Sequence, residues 1–163
     1  MKAVHYLNQF FAGLGGEDKA ETPPTRLEGA VGPGRGLADE LGDIEIVATL
    51  ACGDDYFAEH EEEALATLLG YLAEDGPDVF IAGPAFGSGR YGYACGTLVA
   101  SAAERGIPSV AAMHPENPGV DAAGKAYVVP TALNVAGMRD ALPRLARLAT
   151  ALAQGRELGT ADD

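Results

Sequence analysis

Arg90 is the one cation in "GPAFGSGRYG", the run from Gly83 to Gly92. An apolar stretch precedes this run and a helix-like stretch follows it. A guanidinium is a planar fork that matches a carboxylate with two parallel hydrogen bonds. The start of a helix adds unpaired N–H donors and a partial positive charge. Glycines at 87 and 89 permit positive φ and close approach of backbone N–H groups to a ligand. Together these features make a cradle for a small carboxylate or phosphate. The same residues also make a tight strand-to-helix turn in which Arg90 pairs with one of the chain's many acids, and spacing alone does not choose between the two. The run is neither a Walker loop, since it lacks Gly-Lys-[Ser/Thr], nor a dinucleotide fingerprint, whose glycine spacing differs.

Two further residues are candidates for catalysis. Cys52 closes a strand just ahead of a helix start, a position that lowers a thiol pKa; its other reading is a small core hydrophobe. His114 lies in a Pro/Gly loop, where an imidazole transfers protons, binds anions, or does neither. The substrate-binding candidates are Asn8, Asp54, Asp55 and Tyr56, then Gly87, Ser88, Gly89, Arg90 and Tyr91, then Glu116, Asn117 and Thr131. All are expected at the carboxyl ends of strands, the edge of an open α/β sheet where ligands bind. Cys95 falls inside a helix and reads as packing, and His5 in the first strand as structural. His60 stands among glutamates without an H-E-x-x-H pattern, and neither cysteine has a C-x-x-C partner, so no metal site is expected.

The elements that must position these residues alternate. "KAVHYLNQFF", "IEIVATLACG", "PDVFIAGPAF", "IPSVAAM" and "KAYVVPTA" read as strands. "DDYFAEHEEEALATLLGYLAED" reads as one helix with a stripe of Leu65, Leu68, Leu69 and Leu72. "RYGYACGTLVASAAERG" is a second helix. "NVAGMRDALPRLARLATALAQG" is a third, which Pro143 should kink or divide. This order predicts an α/β three-layer sandwich with a mostly parallel, Rossmann-like or flavodoxin-like sheet. One domain is expected over 1–155, with a long Gly/Pro-rich loop at 12–43 and a polar tail at 156–163.

The 163 residues carry a formal net charge of −13, with 47% hydrophobic and 21% charged residues. This composition suits a globular core and argues against nucleic acid or an anionic membrane as partner. The opening "MKAVHYLNQFF" is too short and too polar for a signal peptide, no run is long enough to span a bilayer, and a cytoplasmic location with free thiols is expected.

Five separated stretches resemble one family in register: "MKAVHYLNQFFAGLGGEDKAETPP", "GAVGPGRGL", "ACGDDYFAEHEEEA", "DVFIAGPAFGSGRYGYACG" and "MHPENPGVD". They are similar to the amino-terminal region of selenoprotein B, the substrate-binding component of the glycine, sarcosine and betaine reductases. The resemblance covers nearly the whole chain. It implies reductive C–N cleavage, in which a pyruvoyl group on a companion subunit holds the amine and a selenolate attacks the α-carbon. The carboxymethyl group then passes to further proteins and leaves as acetyl phosphate. Members of the family run to more than twice this length, and their selenocysteine lies in the carboxyl-terminal half. This chain therefore implies no cofactor of its own. It implies that the half bearing cysteine or selenocysteine is supplied by a missing region or by a separate partner chain resembling it, and it implies a pyruvoyl-type subunit. The family carries Asn where Asp55 stands and Asn-Ala where Gly87-Ser88 stands, differences that flank the expected pocket. A non-catalytic scaffold subunit and a stand-alone enzyme with Cys52 as nucleophile are the rival readings.

Overall fold

The computed structural model describes residues 1–159. In chain order the elements are β1 (Lys2–Asn8), β2 (Thr25–Glu28), α1 (Pro33–Leu41), β3 (Glu45–Cys52), α2 (Asp54–Glu59), α3 (Glu61–Asp75), β4 (Val79–Ala82), α4 (Gly89–Glu104), β5 (Ser109–Met113), α5 (Gly119–Ala122), β6 (Tyr127–Pro130) and α6 (Met138–Ala153). The six strands form one sheet in the order β2-β3-β1-β4-β5-β6. Every pairing is parallel except β2 with β3. With β2 set aside, the parallel strands run 2-1-3-4-5 in chain order, the flavodoxin-like arrangement. The chain leaves β1 on one side, builds β3, then returns to the other side of β1 for β4. The switch point therefore lies between the carboxyl ends of β1 and β4.

Strand alternation sorts the core into two layers, because successive side chains point to opposite faces. Val4 and Tyr6 of β1 join Leu50, Phe80, Ala111 and Met113 under α3 and α4. Ala3, Ile46, Val79, Ile81 and Val110 face the other way, onto Leu37 and Leu41 of α1 and Leu142 and Leu145 of α6. Burial on both faces explains why β4 reads as a continuous apolar run.

Four expectations from the sequence need correction. The segment 12–43 is not one long loop: it contains the edge strand β2 and helix α1. β2 is only partly buried and polar, so it lacks the alternation of an inner strand. The first strand stops at Asn8, and the chain then turns, with Ala12 N donating to Asn8 O. The helix expected over 54–75 breaks at His60 into α2 and α3; its stripe is Ala64, Leu68, Leu69 and Leu72, with Leu65 at its half-buried margin. Pro143 does not divide α6, which runs unbroken from Met138 to Ala153. It stands close to the amino-terminal end, where a missing N–H costs one ladder bond and the remaining turns pack on the sheet. The end of the expected tail, 160–163, falls outside the described residues.

His5 ties β1 to the loop after β4. Its Nε2 lies 2.6 Å from the Gly83 carbonyl oxygen, which only accepts, so Nε2 carries the proton. Nδ1 has no partner. Full burial lowers the His5 pKa from 6.5 to about 4, against the Gly83 bond, which raises it. As pH falls, the unfolded chain takes up this proton before the folded one does. The stability contributed by neutral His5 is thus complete above pH 6.5 and is lost between 6.5 and about 4. Its full size is on the order of 3 kcal/mol. Denaturant melts at pH 7 and pH 4.5 should show a flatter acid loss in His5→Gln, which keeps a donor for Gly83. An unchanged slope would assign the acid sensitivity to other groups.

Candidate functional site

The rim at the β1/β4 switch point is assembled around one buried carboxylate. Asn8 ends β1 and Gln9 follows it; they are 5% and 2% exposed. Asn8 Nδ2 donates to Asp54 Oδ2 at 3.0 Å, and Gln9 Oε1 accepts from the Asp54 backbone N–H at 3.0 Å. Asn8 Oδ1 in turn accepts from Phe11 N. The backbone of Ala20 and Thr22 closes over the same place: Ala20 O accepts from the N–H groups of Asp55 and Tyr56, and Thr22 O from that of Gly53. The start of α2 is therefore capped by main chain rather than by a side chain. Asp54 Oδ1 is buried with no partner, as are the hydroxyls of Tyr6 and Tyr91. Burial raises the Asp54 pKa; the Asn8 bond and the Arg90 charge oppose it. Burial also pushes both tyrosines well above their ordinary value, and the Asp54 charge adds to the rise.

Above this floor lies the exposed part of the site. Arg90, in the first turn of α4, is half exposed and forms an ion pair with Asp55; Glu17 Oε1 stands 3.7 Å from its other terminal nitrogen. Ser88 precedes α4 without a side-chain cap bond. The N–H groups of Gly89, Arg90 and Tyr91 take no acceptor among the described residues, as expected at a helix start. Beside Arg90 an open groove of about 520 Å³ runs between Phe57, Glu61, Gly89, Tyr93 and Pro118.

The glycines do something other than the sequence suggested. Neither Gly87 nor Gly89 has positive φ; Gly83 does, at 97°, and so does Phe86, at 53°. A Cβ on Gly87 would sit 2.9 Å from the Leu133 carbonyl oxygen, and one on Gly92 would overlap the Asn117 amide. These two glycines admit neighbouring chain. Gly89 is different, since a Cβ there meets only Pro118, at 3.7 Å.

The structure brings Asn8, Asp54, Asp55, Ser88, Gly89 and Arg90 to this rim and gives the other candidates different work. Asn117 is buried and donates to Phe86 O at 2.9 Å and Ser88 O at 3.0 Å, so it shapes the loop. His114 Nδ1 accepts from Glu116 N at 3.1 Å, which turns that ring nitrogen toward its own loop. Glu116 is exposed beside it. Thr131 donates to Ala132 O. Tyr56 stacks on His60 on the outer side of α2. Tyr91 is fully buried against Tyr6 and Phe11 rather than at the rim. Sequence reasoning missed Tyr6, which the two-residue alternation of β1 points inward, and Glu17, hidden in what read as loop. No group of three or more His, Cys, Asp or Glu that could hold a metal occurs among the described residues.

Cys52 is a correction. It is fully buried, and burial followed by the Asp54 charge pushes its thiol up to about 12. The helix start that would have lowered it is outweighed by desolvation beside a carboxylate. Iodoacetamide should leave Cys52 and Cys95 unmodified in the folded protein from pH 7 to 9 and alkylate both in denaturant; rapid labelling of folded Cys52 near neutral pH would overturn this placement.

The family model for the glycine/sarcosine/betaine reductase selenoprotein B matches residues 1–163. The chain belongs to that family. It is 48% identical to the glycine reductase complex component B subunit gamma of Carboxydothermus hydrogenoformans over 98% of this chain and 37% of that protein. It is 48% identical to the sarcosine reductase complex component B subunit beta of Peptoclostridium acidaminophilum, with the same coverage. Against the betaine reductase complex component B subunit beta of the same organism identity is 40%, over 99% of this chain and 38% of that protein. The chain thus spans little more than a third of the length of these relatives, the amino-terminal third. No solved structure matches it. Among the described residues no helix is long and apolar enough to cross a membrane.

Proposed function

We propose that this chain contributes part of a substrate pocket to a reductase-like assembly that cleaves a C–N or related C–heteroatom bond, and that Arg90 and the free N–H groups of α4 hold the substrate's carboxylate. The observation that carries the reading is the half-exposed Arg90 fork at an uncapped helix start, on the rim of the β1/β4 switch point. Glycine, sarcosine and betaine, named in the relatives, are all small carboxylates, so one anion cradle serves all three. The thiol or selenol and the pyruvoyl chemistry belong to other chain segments: Cys52 and Cys95 are buried here with raised pKa values. A stand-alone enzyme with Cys52 as nucleophile does not fit that burial.

In this reading the thiol- or selenol-bearing part is the equivalent of the remaining two thirds of the relatives, as a further region or as a separate chain. Phe10, Leu133 and Val135 are 62%, 62% and 57% exposed, all beyond the carboxyl ends of strands. Apolar side chains at the mouth of the site favour an assembly that covers it. None of the exposed large hydrophobics lies on the closing helix α6. The Arg90–Asp55 pair favours a second reading, in which the run is a tight strand-to-helix turn and Arg90 is structural.

Arg90→Lys keeps the charge and loses the fork; Arg90→Ala loses both. An exposed ion pair is worth about 1 kcal/mol or less, so both variants should keep the melting temperature within a few degrees. In the assembled complex kcat/KM should fall about 10- to 100-fold for alanine and less for lysine. A lower melting temperature with undiminished turnover of the folded fraction would make Arg90 a structural residue.

A further inference from the structure

We propose that Asp55 is a built-in competitor for Arg90 that sets which anions the rim admits, favouring singly charged carboxylates over phosphate. The proposal rests on the anion-binding reading of Arg90. It adds a residue and a selection rule to that reading.

Asp55 pairs with the Arg90 guanidinium, and Glu17 stands 3.7 Å from the other arm of the fork. The backbone that carries each acid is held close to Arg90. Asp55 is anchored through its backbone N–H to Ala20 O, and Glu17 opens the short turn Glu17–Lys19 of the strap whose Ala20 and Thr22 carbonyls cap α2. An incoming anion must therefore displace the Asp55 carboxylate from Arg90 and then remain beside it. Asp54, clamped by Asn8 and Gln9, adds a third carboxylate behind them. A carboxylate ligand presents the same planar pair of oxygens as Asp55, so the geometry of the fork is preserved and the rim gains one negative charge. A phosphate dianion meets the same competitor and twice the repulsion from the three acids. Repulsion of this kind is how a site rejects a wrong ligand that fits its donors. The half-exposed position of the pair keeps the exchange inexpensive, since such ion pairs contribute little on their own.

The probes are acetate and inorganic phosphate, titrated into the whole chain and followed by NMR shifts of the Gly89, Arg90 and Tyr91 amides. The variants are Asp55→Asn, Arg90→Ala and, as a control for net charge alone, Glu104→Gln at the far end of α4. Wild-type protein should bind acetate more tightly than phosphate. Asp55→Asn should tighten acetate about fivefold and phosphate about threefold more than that, while Glu104→Gln changes neither. Asp55→Ser should behave the same way and stands in if asparagine disturbs the start of α2. If Asp55→Asn binds no better than Glu104→Gln while Arg90→Ala still weakens binding, Arg90 is an anion ligand and Asp55 is not its competitor. If Asp55→Asn tightens acetate and phosphate equally, the selection rule falls. If Arg90→Ala binds both anions as the wild type does, the anion reading of Arg90 fails and the competitor fails with it.

Discussion

The rim depends on the clamp that Asn8 and Gln9 place on Asp54. A carboxylate only 6% exposed needs partners, because an uncompensated buried charge costs several kcal/mol. Asn8, at the end of β1, supplies one to Oδ2, and the adjacent Gln9 holds the Asp54 backbone N–H, while Oδ1 is left without a partner. This fixes where α2 begins relative to the central strand. Asp55 follows by one residue and meets Arg90, so the charge pattern of the mouth is inherited from a buried contact between β1 and the β3–α2 turn.

The same economy governs the glycine-rich run after β4. Its abundance of small residues reads as a ligand loop, yet Gly87 and Gly92 are small because Leu133 and Asn117 press on them. Asn117 completes the arrangement by donating to the Phe86 and Ser88 carbonyls from the next loop along the sheet. Three strand ends are thereby locked together, and the α4 start is left uncapped on a rigid base. Rigidity of this kind lets backbone donors act without reorganisation when charge arrives. The buried hydroxyls of Tyr6 and Tyr91 lie beneath, without partners and close enough to Asp54 for its charge to shift them.

Much of the architecture was legible because strand and helix periods differ and the parallel strands are strongly apolar. β1, β3, β4, β5 and β6, with the helices that follow β3, β4 and β6, follow from that pattern. β2 and α1 were not legible: β2 is a half-buried edge strand of Thr, Arg, Leu and Glu. α1 starts with Pro-Gly and has glycine again at 36, composition that reads as loop until Leu37 and Leu41 meet α6. At the site, the importance of the strand ends was visible, but direction was not. Nothing in the order Cys52-Gly53-Asp54-Asp55 says that the thiol turns inward while the second acid turns out to Arg90. Tertiary packing decides that, and the same packing put Tyr91 in the core and left Arg90 beside it exposed.

The central claim is that Asp54 is a buried, clamped carboxylate on which the rim is built. A carboxyl-carbon NMR titration of Asp54 in the wild type and in Asn8→Ala tests it directly. Burial should place the wild-type value above the ordinary 3.8. Loss of the Asn8 bond, which favours the charged form, should raise it further. The amides of Asp55 and Arg90 should shift in the same variant. A wild-type Asp54 that titrates at or below 3.8, or one indifferent to Asn8, would contradict the account.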